Sequence, residues 1–405
     1  MKVFKVLSYV LVLSIITSCS NDDADDITND SQIVEDEHTA LLISDSESNV
    51  LNFLKPYDNT IQDFEASFSG GSIYATESGI YGVITHRSNN FTETFNFGGE
   101  IPHGSHSHDL GEQGMAAISF ESQSPTHFKS EHGYVAVYND GDATLSLFNE
   151  SSIHNGSSPV RTINTGSAAH HGAMVVFPNG TLAVTELGNG AGLPESAKII
   201  SQNGEILFED KPVIVTSGIH GNAGHDDVAV FGSNSGVLVV KSNGDQSLIN
   251  YPDDFEDDVW FGSLLSTNDA NLFVGYTGSK GAYFINIADE EITPILESSN
   301  LFKCIKSKDG DLIASLTKTG LLNITEVSTG LVKYQGKLNI AMDTEATDHG
   351  SVTSNIDLSE DFIYVSIPTQ KKIIQIELND LSNMKEFNLN ITPYQFKILG
   401  AHFDH

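Results

Sequence analysis

The sequence predicts an all-β fold, a single β-propeller, on three observations. From Thr39 onward helical periodicity is scarcely visible; short apolar or alternating runs recur instead, separated by Asn-Gly, Asp-Gly and Ser-Gly turns. One stretch contains the repeating unit whole. Ala173 to Phe177 runs into Pro178-Asn179-Gly180, Thr181 to Thr185 returns, and Lys198 to Ser201 and Glu205 to Phe208 make a second hairpin around Asn203-Gly204. Four short strands joined by turns in about 40 residues is the pattern of one blade. The two chain ends are each incomplete in a complementary way: Tyr394 to Leu399 is a strand with no partner downstream, and the unit built on Ala40 to Ile43, Val50 to Phe53 and Phe64 to Ala66 lacks an opening strand. Pairing the two ends closes the ring and gives eight blades, with seven as the alternative because unit lengths are uneven.

Taken in order, residues 1–18 read as a lipoprotein signal peptide. Lys2 and Lys5 precede an apolar run, Val6 to Ile16, that ends in Ile16-Thr17-Ser18-Cys19. This resembles a bacterial lipobox, which implies cleavage before Cys19 and its lipidation. The run is too short to span a bilayer. Residues 19–38 are acidic and nearly free of large apolar side chains, the composition of a solvated tether. An acidic stretch directly after the cysteine is similar to the export tags of surface lipoproteins in Bacteroidota. The expected location is therefore the cell envelope of a Gram-negative bacterium, at the outer membrane, facing the periplasm or the surface. Residues 39–405 are the propeller. Later units are expected to open at Ile73 to Thr76, at His127 to Lys129, at Ala169, at Asp227 to Val230, at Phe261 to Leu265, at Phe302 to Ile305 and at Ser351 to Thr353.

Charge excludes whole classes of partner. Against 54 acidic residues stand 20 basic ones, for a formal charge of −34. Nucleic-acid binding needs a basic footprint and is excluded, and attraction to anionic lipid is disfavoured, so membrane contact runs through the lipid anchor only. The same charge suits attraction of cations. With Cys19 assigned to lipid, Cys304 is the sole remaining cysteine and no internal disulfide is possible; it reads as a small core residue.

The 15 histidines fall mostly outside the apolar runs. In a blade with strands A to D counted from the axis outward, the D–A and B–C links share one face and the A–B and C–D turns share the other. His86, His127, His170, His171, His220, His225 and His349 are expected on the first face or in the upper channel, where innermost strands of different blades converge. Glu186, Asp226, Asp227 and Asp348 lie beside the same positions. A second set goes to the opposite face. His103, His106 and His108 sit in a glycine- and serine-rich insertion, Gly98 to Met115, expected to be a mobile arm; His132 falls in a neighbouring A–B turn, and His402 and His405 end the chain. Neutral imidazole suits zinc, and also copper or nickel, and a zinc site without cysteine uses His with Asp or Glu. The competing reading is structural: a His-Gly before a propeller strand can brace a neighbouring blade, as in WD-type repeats.

The His103–His108 insertion, the His170-His171-Gly172 strand start, Gly221 to Asp227 with flanking His220 and His225, Asp348-His349-Gly350 and the histidine-bearing C-terminus together resemble the periplasmic zinc metallochaperones of the AztD type, across essentially the whole mature chain. The resemblance implies a monomeric, non-enzymatic propeller that takes zinc as cargo and delivers it to the solute-binding protein of a zinc ABC importer, with a mobile histidine loop and a firmer site built from separate blades. The lipobox departs from a freely diffusing periplasmic protein. Two other classes remain open from the residues alone: a propeller enzyme of the lactonase or lyase type using a channel metal, with Glu186 or Asp227 as a base, and a lipid-tethered scaffold without metal. No Gly-x-Ser-x-Gly or His-Glu-x-x-His motif is present. If unperturbed imidazoles hold the metal, zinc affinity measured by titration falls steeply below about pH 6, because the ligands must be neutral and their pKa is about 6.5; equal binding at pH 5 and 7.5 points to carboxylates instead.

Overall fold

A computed structural model describes residues 33–103, 106–188, 192–256, 259–346 and 351–400, with residues 101–103 and 106–108 described at the backbone alone. Eight four-stranded antiparallel sheets make up the ring. Seven are sequential or nearly so, and one is assembled from both ends of the chain: Ala40–Asp45, Val50–Lys55 and Thr60–Glu65 are joined on the inner side by Pro393–Leu399. The closing register pairs Ala40 with Leu399, Leu41 with Ile398, Leu42 with Lys397 and Ile43 with Phe396, then shifts before Asp45 meets Pro393. The Asp45 carboxylate accepts the Thr392 N–H (3.0 Å), pinning that shift. Counting this as blade one, the chain supplies blades two to eight in order, and the expected closure and count of eight are what the structure has.

Burial follows radial position. The second strands Tyr81–His86 (blade two), Leu312–Thr317 (blade seven) and Phe362–Ile367 (blade eight) are buried at every residue, because neighbouring blades cover both faces of each sheet. That is why they read as continuous apolar or small-residue runs rather than alternating ones. Outer strands such as Thr60–Glu65 are almost wholly exposed. The core therefore lies between blades: Ala136, Tyr138, Leu145 and Leu147 of blade three pack with Met174, Val176, Leu182 and Val184 of blade four, and equivalent clusters join other pairs. Cys304 is one such core residue, its thiol pushed up to about 12 by burial. Among the described residues no helix is long and apolar enough to cross a membrane.

Four expectations are corrected. Blade five opens with Ile219–His225, and the run at Asp227 to Val230 belongs to its second strand, Val228–Ser233. The inner strand reads Ile-His-Gly-Asn-Ala-Gly-His, with no apolar alternation, because it faces the channel and not a core. Residues 351–355 carry no strand, and blade eight opens at Ile356–Leu358. The insertion in blade two is a two-stranded ribbon, Glu100–His103 against His106–Asp109, with His103 paired to His106 and Ile101 to His108. Ordered packing begins before Thr39: the buried Glu35 carboxylate accepts from Tyr364 Oη (2.6 Å) and Ser359 Oγ (2.7 Å) in blade eight. Cys19, His349, His402 and His405 lie outside the described residues.

Removing residues 394–405 takes away the inner strand of blade one and leaves Ala40–Asp45 as an unpaired edge. The expected outcome is a markedly lower melting temperature and concentration-dependent association in size-exclusion chromatography; a truncation that melts like the full chain and stays monomeric overturns closure by this pairing.

Candidate metal centre

Three inner-strand starts and links of consecutive blades place histidines on the first face. His127 lies near the beginning of Pro125–Glu131, the inner strand of blade three; His171 lies in the link into blade four; His220 is the second residue of Ile219–His225 in blade five. His171 Nε2 lies 3.0 Å from His127 Nε2 and 3.2 Å from His220 Nε2. The rings of His127 and His220 are 6.2 Å apart and nearly perpendicular, so His171 stands between them. Two nitrogens of a tetrahedral zinc with bonds of ~2.0–2.1 Å are about 3.3 Å apart, close to the two spacings to His171; His127 and His220 flank that ring, and one ion on all three requires them to close toward each other.

The far side of each ring decides what these nitrogens present. His220 Nδ1 donates to the Gly262 carbonyl (2.8 Å), and His171 Nδ1 donates to Asp140 Oδ2 (2.7 Å). Each neutral ring has one N–H, and it is spent there, so the Nε2 atoms of His171 and His220 both turn lone pairs toward each other. Lone pairs facing at 3.2 Å repel unless a proton or a metal cation sits between them. Carbonyl and carboxylate acceptors behind a ligating histidine are the usual outer shell of a zinc site, fixing tautomer and orientation.

Asp140 belongs to that outer shell. His127, Asp140 and His171 do offer three donor atoms within 4.8 Å of one another. Oδ2 is taken by His171 Nδ1, on the side of the ring away from the other imidazoles, while Oδ1 is buried with no hydrogen-bond partner among the described residues and is the oxygen left to a cation. Arg87, from the second link of blade two, contacts the same oxygen (3.2 Å) and donates through Nε to Thr126 Oγ1 (3.0 Å). Burial works to raise the Asp140 carboxyl, but His171 first, then hydrogen bonds from Thr126 and Arg87, hold it below the ordinary value, as an anion. Burial first, then the neighbouring His171, push His127 down to about 3, so this ring is neutral and ready to ligate throughout the physiological range. The expectation of a uniform loss of ligand capacity near pH 6 is thereby corrected for His127.

The remaining histidines separate cleanly. His170, although adjacent to His171, is 7% exposed; Nδ1 donates to the Ala168 carbonyl (2.7 Å) while Nε2 meets Thr185 Oγ1 (3.2 Å) and Tyr138 Oη (3.1 Å). It braces blade four against blade three, the structural alternative for a His-Gly start. A Cβ on Gly172 would collide with the Tyr138 ring, which is why glycine follows the histidine pair. His86 is buried against Glu93 (2.8 Å). His225 is corrected in position: it ends the strand in which His220 stands second, about 17 Å away at ~3.3 Å per residue, and shares the opposite mouth of the channel with His132. Glu186 pairs with Lys198, Asp227 accepts from Ser242, and Asp226 sits in the same turn as His225, so none of the three joins the triad. Asp140, Arg87 and the Gly262 carbonyl were missed. Asp140 stands in Asn139-Asp140-Gly141-Asp142, which reads as ordinary turn chemistry.

No protein-family profile matches the chain. A curated relative does: the zinc chaperone AztD of Citrobacter koseri, 21% identical over 398 residues, covering 90% of this chain and 89% of that one. The crystal structure of Citrobacter koseri AztD superposes with a TM-score of 0.78 at 19% identity, over 91% of this chain and 99% of that one; its apo structure gives 0.77. The resemblance to AztD runs the length of the ring. The dihydro-heme d1 dehydrogenase NirN also superposes, at a TM-score of 0.58 and 12% identity, covering 90% of this chain and 76% of that one, and shares the propeller fold.

Two outcomes follow from the geometry. Gly172→Ala forces the Tyr138 ring aside and should cost ~1–3 kcal/mol in denaturant unfolding, as overpacking does. In metal-free protein, unfolded His127 protonates near 6.5 and native His127 only near 3, so unfolding takes up a proton between those values and stability falls as pH falls through that window. His127→Gln should therefore flatten the difference in unfolding free energy between pH 7.5 and pH 5; an unchanged slope shows that the ring titrates normally.

Proposed function

We propose that this chain is a zinc chaperone of the cell envelope, holding one zinc ion on His127, His171 and His220. The observation that carries the reading is the pair of Nε2 lone pairs facing each other at 3.2 Å, with both Nδ1 atoms committed to fixed acceptors. Three neutral imidazoles leave a fourth position of a tetrahedral ion open to water or to an incoming ligand. An acceptor protein's histidine or carboxylate enters there, and the chain's own ligands leave one at a time, so zinc moves without passing through a bare ion. The resemblance to AztD supports zinc as the cargo, and the net charge of −34 favours accumulation of cations around the protein.

The finer reading extends this. The recipient is the solute-binding protein of a zinc importer, the protein acts as a monomer, and Cys19 ties it by lipid to the outer membrane through the acidic segment 19–38. The ribbon carrying His103, His106 and His108 leaves blade two between its third and fourth strands, on the face opposite the triad. It therefore works as a separate, weaker acquiring arm, together with His132 and the C-terminal His402 and His405.

Zinc titration of protein purified without a histidine tag tests the reading. One tightly held equivalent is expected; His171→Ala and His220→Ala abolish it, and Asp140→Asn weakens it about 10- to 100-fold by releasing the His171 ring. Replacing His103, His106 and His108 together by Ala should leave that equivalent in place and slow loading. Loss of all zinc in the triple variant, with retention in His171→Ala, reverses the assignment.

A further inference from the structure

Beyond the triad, the channel holds a feature that zinc does not use. A cavity of about 670 Å³ opens between the inner strands toward the opposite face, where Glu77, His132, Asp226 and Asp309 of the A–B turns form its rim. Its wall carries Lys129 of blade three and Lys306 of blade seven, which stand across the ring from each other, and Lys397 of blade one. Lys397 is paired with Asp357 at 3.3 Å. Lys129 and Lys306 are bonded to neutral oxygens only, the Asn222 carbonyl (3.1 Å) and Ser266 Oγ (3.0 Å), with no carboxylate oxygen of the described residues within 4.0 Å. Each ammonium offers three donors and spends one on these contacts.

In a chain with 20 basic residues and a charge of −34, these two ammoniums share one carboxylate inside the ring, Glu131, and an excess of positive charge there calls for a ligand. Burial, then the charge of Lys129, lower Lys306 against the pull of Glu131, Asp309 and Glu77, and burial lowers Lys129 against the pull of Glu131. The wall's other carboxylate, Glu131, accepts from the Val176 N–H and is raised by burial against the pull of Lys129 and Lys306. Rim carboxylates Glu77, Asp226 and Asp309 face solvent, where salt screens them within about 10 Å.

We propose that this cavity binds a small multivalent oxyanion, phosphate or a short di- or tricarboxylate, bridging Lys129 and Lys306 across the channel. An oxyanion can accept from both ammoniums through separate oxygens, and a second negative charge matches the second ammonium. This site stands independently of the zinc reading.

Calorimetric titration of the metal-free full chain with inorganic phosphate, succinate and citrate in separate arms tests it. Saturable one-site binding is expected in at least one arm, weakened at least about tenfold, or 1.4 kcal/mol, in Lys306→Met and in Lys129→Met. Phosphate binding alone assigns the inorganic source, and carboxylate binding alone the organic one. No saturable binding in any arm overturns the proposal, as does wild-type affinity in both variants. Should the variants fail to fold, the wild-type melting temperature decides: it rises with the bound anion and not with chloride at matched ionic strength, and equal shifts overturn the site.

Discussion

The antiparallel pairing of Ala40–Asp45 with Pro393–Leu399 holds everything else in place. A propeller blade is a sheet with two apolar faces, stable only while neighbours cover both, and a ring of eight satisfies every blade only when it is closed. Here the closing blade shares strands from both chain ends, so the long circuit through the other seven is locked by backbone hydrogen bonds, by the Asp45–Thr392 contact and by inward packing of Leu42, Phe396 and Leu399. The inner strands then converge on a common axis with fixed spacing. Positions some 40 to 50 residues apart in sequence, such as 127, 171 and 220, become neighbours at every turn of the ring.

That spacing makes the triad stiff. His127 and His220 sit on inner strands held by interblade cores, and His171 sits in the link into the blade between them. The acceptors behind the rings extend this: His220 leans on Gly262 of the sixth blade's entry, while His171 leans on Asp140, itself braced by Arg87 from blade two. Five consecutive blades thus contribute to one constellation. His170 and Tyr138 serve the same end by bolting blade four to blade three directly beneath it.

Charge is distributed against the grain of composition. Carboxylates dominate the sequence, yet lysines line the channel on Pro125–Glu131, Leu301–Lys306 and Pro393–Leu399. Along one strand, positions 127, 129 and 131 project to the channel at period two: an imidazole, an ammonium and a carboxylate. Lys129, Lys306 and Glu131 line the cavity between the triad and the opposite mouth, where His132 and His225 lie.

The sequence by itself determined the blade, the turns, the closure and the faces on which most histidines emerge, because strand period, Asn-Gly chemistry and the unpaired ends are local signals. It failed at Ile219–His225, where a channel-facing strand carries glycine and polar residues and lacks any apolar alternation. It also could not divide His170 from His171. Adjacent side chains in extended chain point opposite ways, one into the interblade packing and one to the channel, and only the neighbouring blade's Tyr138 and Asp140 reveal which is which. Asp140, Arg87 and the opposed Lys129 and Lys306 owe their roles to lateral contacts between blades and across the axis. Such contacts leave no periodicity in the chain, since each partner is fixed by the ring's geometry and not by its sequence neighbours.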